Sequence, residues 1–100
     1  MHYLLIYDFV PDYVERRGQF RDEHLKLAWE ANQRGELRLA GALTDPVDSA
    51  ILWFEGDSPA AAERFVKNDP YFHNGLVRSW RVRQWTTVVG EQANTPVRPA

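Results

Sequence analysis

The chain has 100 residues, 44% of them apolar, a formal net charge of −2 and no cysteine. That length supports one domain with a single modest core, burying about 60 to 65% of its unfolded surface, so further burial through oligomerisation would help. Without cysteine, a disulfide framework, a thiolate metal site and a thiol nucleophile are all excluded, and dispersed Lys and Arg under a negative net charge give no footprint for nucleic acid or an anionic membrane.

Met1 to Val10 carries neither a basic leader nor a cleavable apolar segment, and no apolar run approaches the roughly 20 residues of a membrane span, so the expected compartment is the cytoplasm. His2 to Val10 predicts a first strand, apolar on both faces: Tyr3, Leu5, Tyr7 and Phe9 on one, Leu4 and Ile6 on the other. Asp12 with Glu15 has capping-box spacing and Gly35 is placed as a terminator, which predicts one helix from about 12 to 34. At 100° per residue, Tyr13, Phe20, His24, Leu27 and Ala31 fall in one stripe flanked by Ala28. Leu25 and Trp29 point elsewhere and call for cover from the tail or a second subunit, unless they are a tolerated exposed pair.

Leu37 to Leu43 and Ser49 to Glu55 read as a hairpin around the turn 44–48. Ser58-Pro59 starts a second helix over Ala60 to Asn68 that should bury Ala62, Phe65 and Val66. Asp69-Pro70 stops it. Tyr71 to Val77 is expected as a compact loop, Ser79 to Val89 as the last strand, and residues 90–100 as a loose tail beyond a domain of residues 1–89.

The order βαββαβ predicts an α+β domain of the ferredoxin-like kind: a four-stranded antiparallel sheet with both helices on one face. No helix is left for the other face. The double-sided apolarity of the first strand therefore predicts a homodimer that buries it.

The residues with chemical potential are His24, which interrupts the apolar stripe, and Asp69, at the abrupt end of the second helix. A lone histidine on an apolar face is more often a satisfied core residue than a catalyst. An imidazole that donates one ring nitrogen to a carboxylate is different, because the other nitrogen is left to act as a general base or acid. Arg21 lies about 60° around the helix from His24, where it can hold an anionic or phenolic oxygen or simply pair on the surface. Tyr71 offers a hydroxyl or packing. His73 would complete a His24-Asp69-His73 metal triad, but the spacing matches no established ligand motif, so no metal is expected. The absence of a glycine-rich phosphate loop and of G-x-S-x-G disfavours a nucleotide cofactor or a serine hydrolase. No cofactor is expected.

The chain resembles the YCII-related family in R-x-x-H (Arg21 to His24), G-x-L-x-x-A-G (Gly35, Leu37, Ala40, Gly41) and D-P-Y followed by Gly75 (Asp69-Pro70-Tyr71). The likeness covers about residues 1–89. It implies a ferredoxin-like fold paired into a dimeric α+β barrel, with His24 and Asp69 as an acid-base pair in a cleft. Four tryptophans (Trp29, Trp53, Trp80, Trp85) depart from the family's pattern, so the substrate does not carry over. The leading expectation is a small cofactor-independent lyase or isomerase acting on a small, cyclic or phenolic metabolite. His24 and Asp69 would do the chemistry, and Arg21 and Tyr71 would contact the substrate. The alternative is a non-catalytic dimeric module that binds a metabolite or protein in the same cleft. RNA binding on Trp53 and Phe54 is disfavoured, since Ile51 to Glu55 lacks the basic and glycine positions of an RNA-recognition signature.

Overall fold

A computed structural model describes residues 1–100. Strand β1 (His2–Phe9) is followed by the single-turn helix α1 (Tyr13–Arg16), a 3₁₀ turn (Arg17–Gln19) and helix α2 (Arg21–Gln33). Strands β2 (Leu37–Ala42) and β3 (Ser49–Glu55), helices α3 (Ala60–Asn68) and α4 (Pro70–His73), and strand β4 (Val77–Trp85) complete the chain. The four strands form one antiparallel sheet, as the βαββαβ reading predicts, and their order in it is β2-β3-β1-β4. No helix is long and apolar enough to cross a membrane.

Alternation along β1 divides the two faces. Tyr3, Leu5, Tyr7 and Phe9 are buried and meet Ala31 of α2 and Ala62, Phe65 and Val66 of α3 in one core. Leu4 and Ile6 point the other way and are only half-buried, because no helix lies there. Phe54 belongs to the core, so Trp53 alone of that pair is on the open face. At the end of β1, Asp8 accepts hydrogen bonds from Ser49 on β3 and from Ser79 and Arg81 on β4. The two serine hydroxyls, with Arg81 adding to them, hold its carboxyl below the usual range. After β4 the chain folds back: Thr87 is buried, bonds His2 Nδ1 through its hydroxyl (2.9 Å), and receives the Asn94 amide (2.8 Å).

Several local expectations need correction. The helix expected over 12–34 is interrupted at Arg17–Gln19, where Gly18 weakens the helix interior and the turn tightens to 3₁₀. Asp12 makes no capping bond and instead approaches Arg16 at 3.6 Å. The loop expected after Asp69 is a short helix. Asp-Pro does end α3, but a proline at the first position and an aspartate before it are also the signal for a new helix, and the Asp69 carboxylate accepts from the Tyr71 amide. The last strand begins two residues earlier than expected and ends at Trp85. Gly35, with φ +79°, terminates α2 in the left-handed conformation as predicted.

Candidate active site

Asp69 sits where α3 hands over to α4, fully buried, and three donors converge on it. Oδ1 accepts from the Tyr71 amide at 3.0 Å and lies 2.9 Å from His24 Nδ1, while Oδ2 accepts from the Tyr7 hydroxyl at 2.7 Å. A buried carboxylate is tolerable only when its lone pairs are so occupied. Burial raises the Tyr7 phenol far above its ordinary value, and the Asp69 charge and hydrogen bond raise it further. Tyr7 is therefore a permanent donor to Asp69.

His24 comes from the first turn of α2, on the stripe that faces the sheet. Its ring stacks on Tyr71 (centroids 3.9 Å apart, planes 8° apart) and meets Phe65 edge-on. These contacts fix the plane of the imidazole, and Asp69 fixes its rotation about that plane. With Asp69 ionised and able only to accept, Nδ1 carries the proton and Nε2 carries the lone pair. His24 forms part of the wall of a cavity of about 390 Å³ between α2 and the β2-β3 side of the sheet.

Tyr71 and Arg21 also line this cavity. The four side chains singled out in the sequence are thus gathered at one place. His73 is not among them: it is exposed, and its Nε2 turns to the Lys67 carbonyl oxygen. No group of three His, Cys, Asp or Glu side chains comes together that could hold a metal ion. Leu25 and Trp29, expected to need cover, stand at the cavity with Leu39 and remain 39%, 63% and 69% exposed. The segment after β4 lies against His2, Trp53 and Trp85 instead.

Three residues of the site were not singled out from sequence for these roles. Tyr7 and Tyr13 read there only as apolar positions, and Arg17 had no role at all. A tyrosine on a strand's fully buried face was the available signal, since a buried phenol requires a hydrogen-bond partner. Tyr13 stacks on Phe9 (3.6 Å, 4°) and meets Tyr71 edge-on (5.6 Å, 87°), while the Arg17 guanidinium lies 5.3 Å over the Tyr13 ring.

The model of the YCII-related domain family matches residues 1–86. No curated protein sequence matches the chain. Among solved structures, a 5-chloro-2-hydroxyhydroquinone dehydrochlorinase from Burkholderia phenoliruptrix, in complex with 2,5-dihydroxybenzoquinone, is similar with a TM-score of 0.74 and 22% identity over 94% of this chain and 100% of that one. A NIPSNAP family protein from Agrobacterium tumefaciens (TM-score 0.58, 17% identity, 93% and 95% covered) shares the architecture. So does a NIPSNAP domain protein from Burkholderia xenovorans (0.53, 16%, 92% and 96%). At these identities the likeness is one of fold.

Proposed function

Since the chain belongs to the YCII-related family, we propose that it is a small cofactor-independent enzyme, a lyase or isomerase, in which His24 and Asp69 move a proton on a small ring metabolite. The observation that carries this reading is the 2.9 Å contact between His24 Nδ1 and a fully buried Asp69 at the wall of a cavity. Nε2 takes a proton from a ring carbon or hydroxyl. The electron pair released then either expels a leaving group as its anion, which is elimination, or shifts so that His24 returns the proton at another atom, which is isomerisation. Asp69 supports the imidazolium during the transfer, and Tyr7 holds Asp69 in place. A dehydrochlorinase on the same fold supports elimination as one chemistry such a cavity can house.

The enzyme works as a homodimer on this reading. Leu4, Ile6, Ile51 and Trp53 present a half-buried apolar strip on the helix-free face, and the Trp53 indole N–H there is buried without a partner. A second copy would cover that strip.

The test is a panel of cyclic and phenolic metabolites screened for thermal stabilisation and for product, with wild type and His24→Ala side by side. A general acid-base group contributes a factor of about 10² to 10⁴, so His24→Ala should bind the active compound and turn it over slower by that factor. A ligand bound by both proteins and converted by neither would replace the enzyme with a binding module.

A further inference from the structure

The charged side chains at the cavity are all of one sign. Arg17, Arg21 and Arg38 line it, and no Asp or Glu does. Arg38 is neutralised by Glu55 at 2.8 Å. Arg17 and Arg21 make no salt bridge and no side-chain hydrogen bond; five of the ten arginines in the chain are ion-paired, and of the five that are not, these two line the cavity. Two free guanidiniums one helical turn apart, on a wall without carboxylates, make a positive end to an otherwise apolar cavity.

That end is built rather than incidental. Arg17 leans on the Tyr13 ring, which is itself clamped between Phe9 and Tyr71. Burial pushes the Tyr71 phenol well above its ordinary value and the adjoining Tyr13 adds to this, while Arg21 and Arg17 both pull it back. Both guanidiniums share the cavity wall with Tyr71, on whose ring the imidazole stacks. Toward the mouth the lining becomes Leu25, Trp29 and Leu39, an exposed apolar surface.

We propose that Arg17 and Arg21 form an anion subsite, and that the ligand is a planar ring carrying an ionised oxygen, a phenolate, enolate or carboxylate. That oxygen is seated between the guanidiniums beside the Tyr13 and Tyr71 hydroxyls, and the ring lies against Leu25, Trp29 and Leu39. The assignment rests on the reading that the His24 cavity is the functional site, and it adds a role in the reaction. Negative charge that develops on a ring oxygen as His24 withdraws a proton would appear where the guanidiniums already stand, which is where preorganised charge is most effective.

The experiment uses two pairs of probes on wild type, Arg17→Met, Arg21→Met, Arg17→Lys and His24→Ala, each checked for folding by circular dichroism. Benzoate and benzamide share shape and differ in charge, and calorimetry reads their affinities. For 4-nitrophenol, which ionises near neutral pH, absorbance at pH 6.5 reads whether the bound form is phenol or phenolate. Wild type should prefer benzoate over benzamide by at least about tenfold, a preference that weakens with salt, or bind nitrophenol as phenolate. The probe that responds tells carboxylate from phenolate. Each Arg→Met change should weaken the anion by about ten- to a hundredfold, the range of one charge-assisted hydrogen bond, with Arg17→Lys in between. Equal affinity for benzamide together with nitrophenol bound neutral, or Arg→Met variants within twofold of wild type, would overturn the subsite. His24→Ala separates the two claims. If it binds the anion as wild type does while wild type turns nothing over, the catalytic reading fails and the subsite stands.

Discussion

Replacing Tyr7 with phenylalanine removes one oxygen from the deepest part of the site and leaves the ring in place against Phe9 (5.8 Å). Both Tyr7 and Asp69 are 0% exposed, and the Tyr7 hydroxyl is the sole donor to Asp69 Oδ2, at 2.7 Å. A hydrogen bond to a charged group contributes about 1.5 to 3 kcal/mol, so Tyr7→Phe should be less stable than wild type by that amount at pH 7. For a domain of this size the melting temperature would fall by roughly 6 to 24 °C. The alkaline limb gives an independent check. Tyr7 holds its proton in the native state well above the pH at which an unfolded tyrosine, with a pKa of about 10, releases it. Above that pH the unfolded chain binds fewer protons than the native one, so stability falls as pH rises, by about 1.4 kcal/mol per pH unit for each such tyrosine. Wild type carries this penalty from Tyr7 and the variant does not, while the contribution of Tyr71 is common to both. The gap measured at pH 7 should therefore shrink by about 2 kcal/mol at pH 11.5. Urea unfolding followed by tryptophan fluorescence at pH 7, 9, 10.5 and 11.5 measures it. A gap below about 0.5 kcal/mol at pH 7, or one unchanged at pH 11.5, would refute the Tyr7-Asp69 bond as the support of the site.

Asp69→Asn should slow turnover by about a hundredfold with the fold intact. The full attraction between imidazolium and carboxylate at 2.9 Å is about 6 kcal/mol at an effective dielectric of 20, and half of it, developed in the transition state, corresponds to about 10² in rate. A kcat within threefold of wild type would remove Asp69 from the chemistry. Light scattering at micromolar concentration should give a dimer, with a total interface of roughly 1,200 Å² or more. A monomer there would leave the Leu4-Ile6 face without its cover.

What was legible in the sequence followed from short-range rules. Period-two alternation in Tyr3 to Phe9 identified the buried face, period 3.6 put His24 in the stripe of Tyr13, Leu27 and Ala31, and Asp69-Pro70 marked the end of α3. Each depends only on residues a turn or a strand apart. The 3₁₀ turn at Arg17–Gln19 was not legible, because one unbroken helix satisfies the same hydrophobic pattern and a single glycine, Gly18, weakens a helix without fixing a break in it. The role of Tyr7 was hidden for a different reason. Alternation assigns a side chain to a face, whereas the partner of its hydroxyl lies 62 positions away. The free state of Arg17 and Arg21 is also a long-range fact, since it depends on which carboxylates the fold keeps from them.

Asp69 shows why the capping signal and the chemical signal coincide in D-P-Y. As the cap of α4 its carboxylate must point back at the Tyr71 amide, and that places Oδ1 where the imidazole of α2 arrives. The same constraint predicts how an asparagine would sit. Oδ1 faces two donors, the Tyr71 N–H and the His24 Nδ1–H, so the amide oxygen is selected for that position and the NH₂ group turns to the Tyr7 hydroxyl, which can accept. Asp69→Asn thus keeps cap and tautomer, and loses the charge together with the acceptor of the Tyr7 O–H. Asp69→Ala would instead strip the cap and strand three buried donors, so lost activity in that variant would report on folding as much as on chemistry. If nitrogen NMR of Asp69→Asn found the proton moved from His24 Nδ1 to Nε2, the capping argument would fail, because the amide would then have to sit with its NH₂ against the Tyr71 N–H.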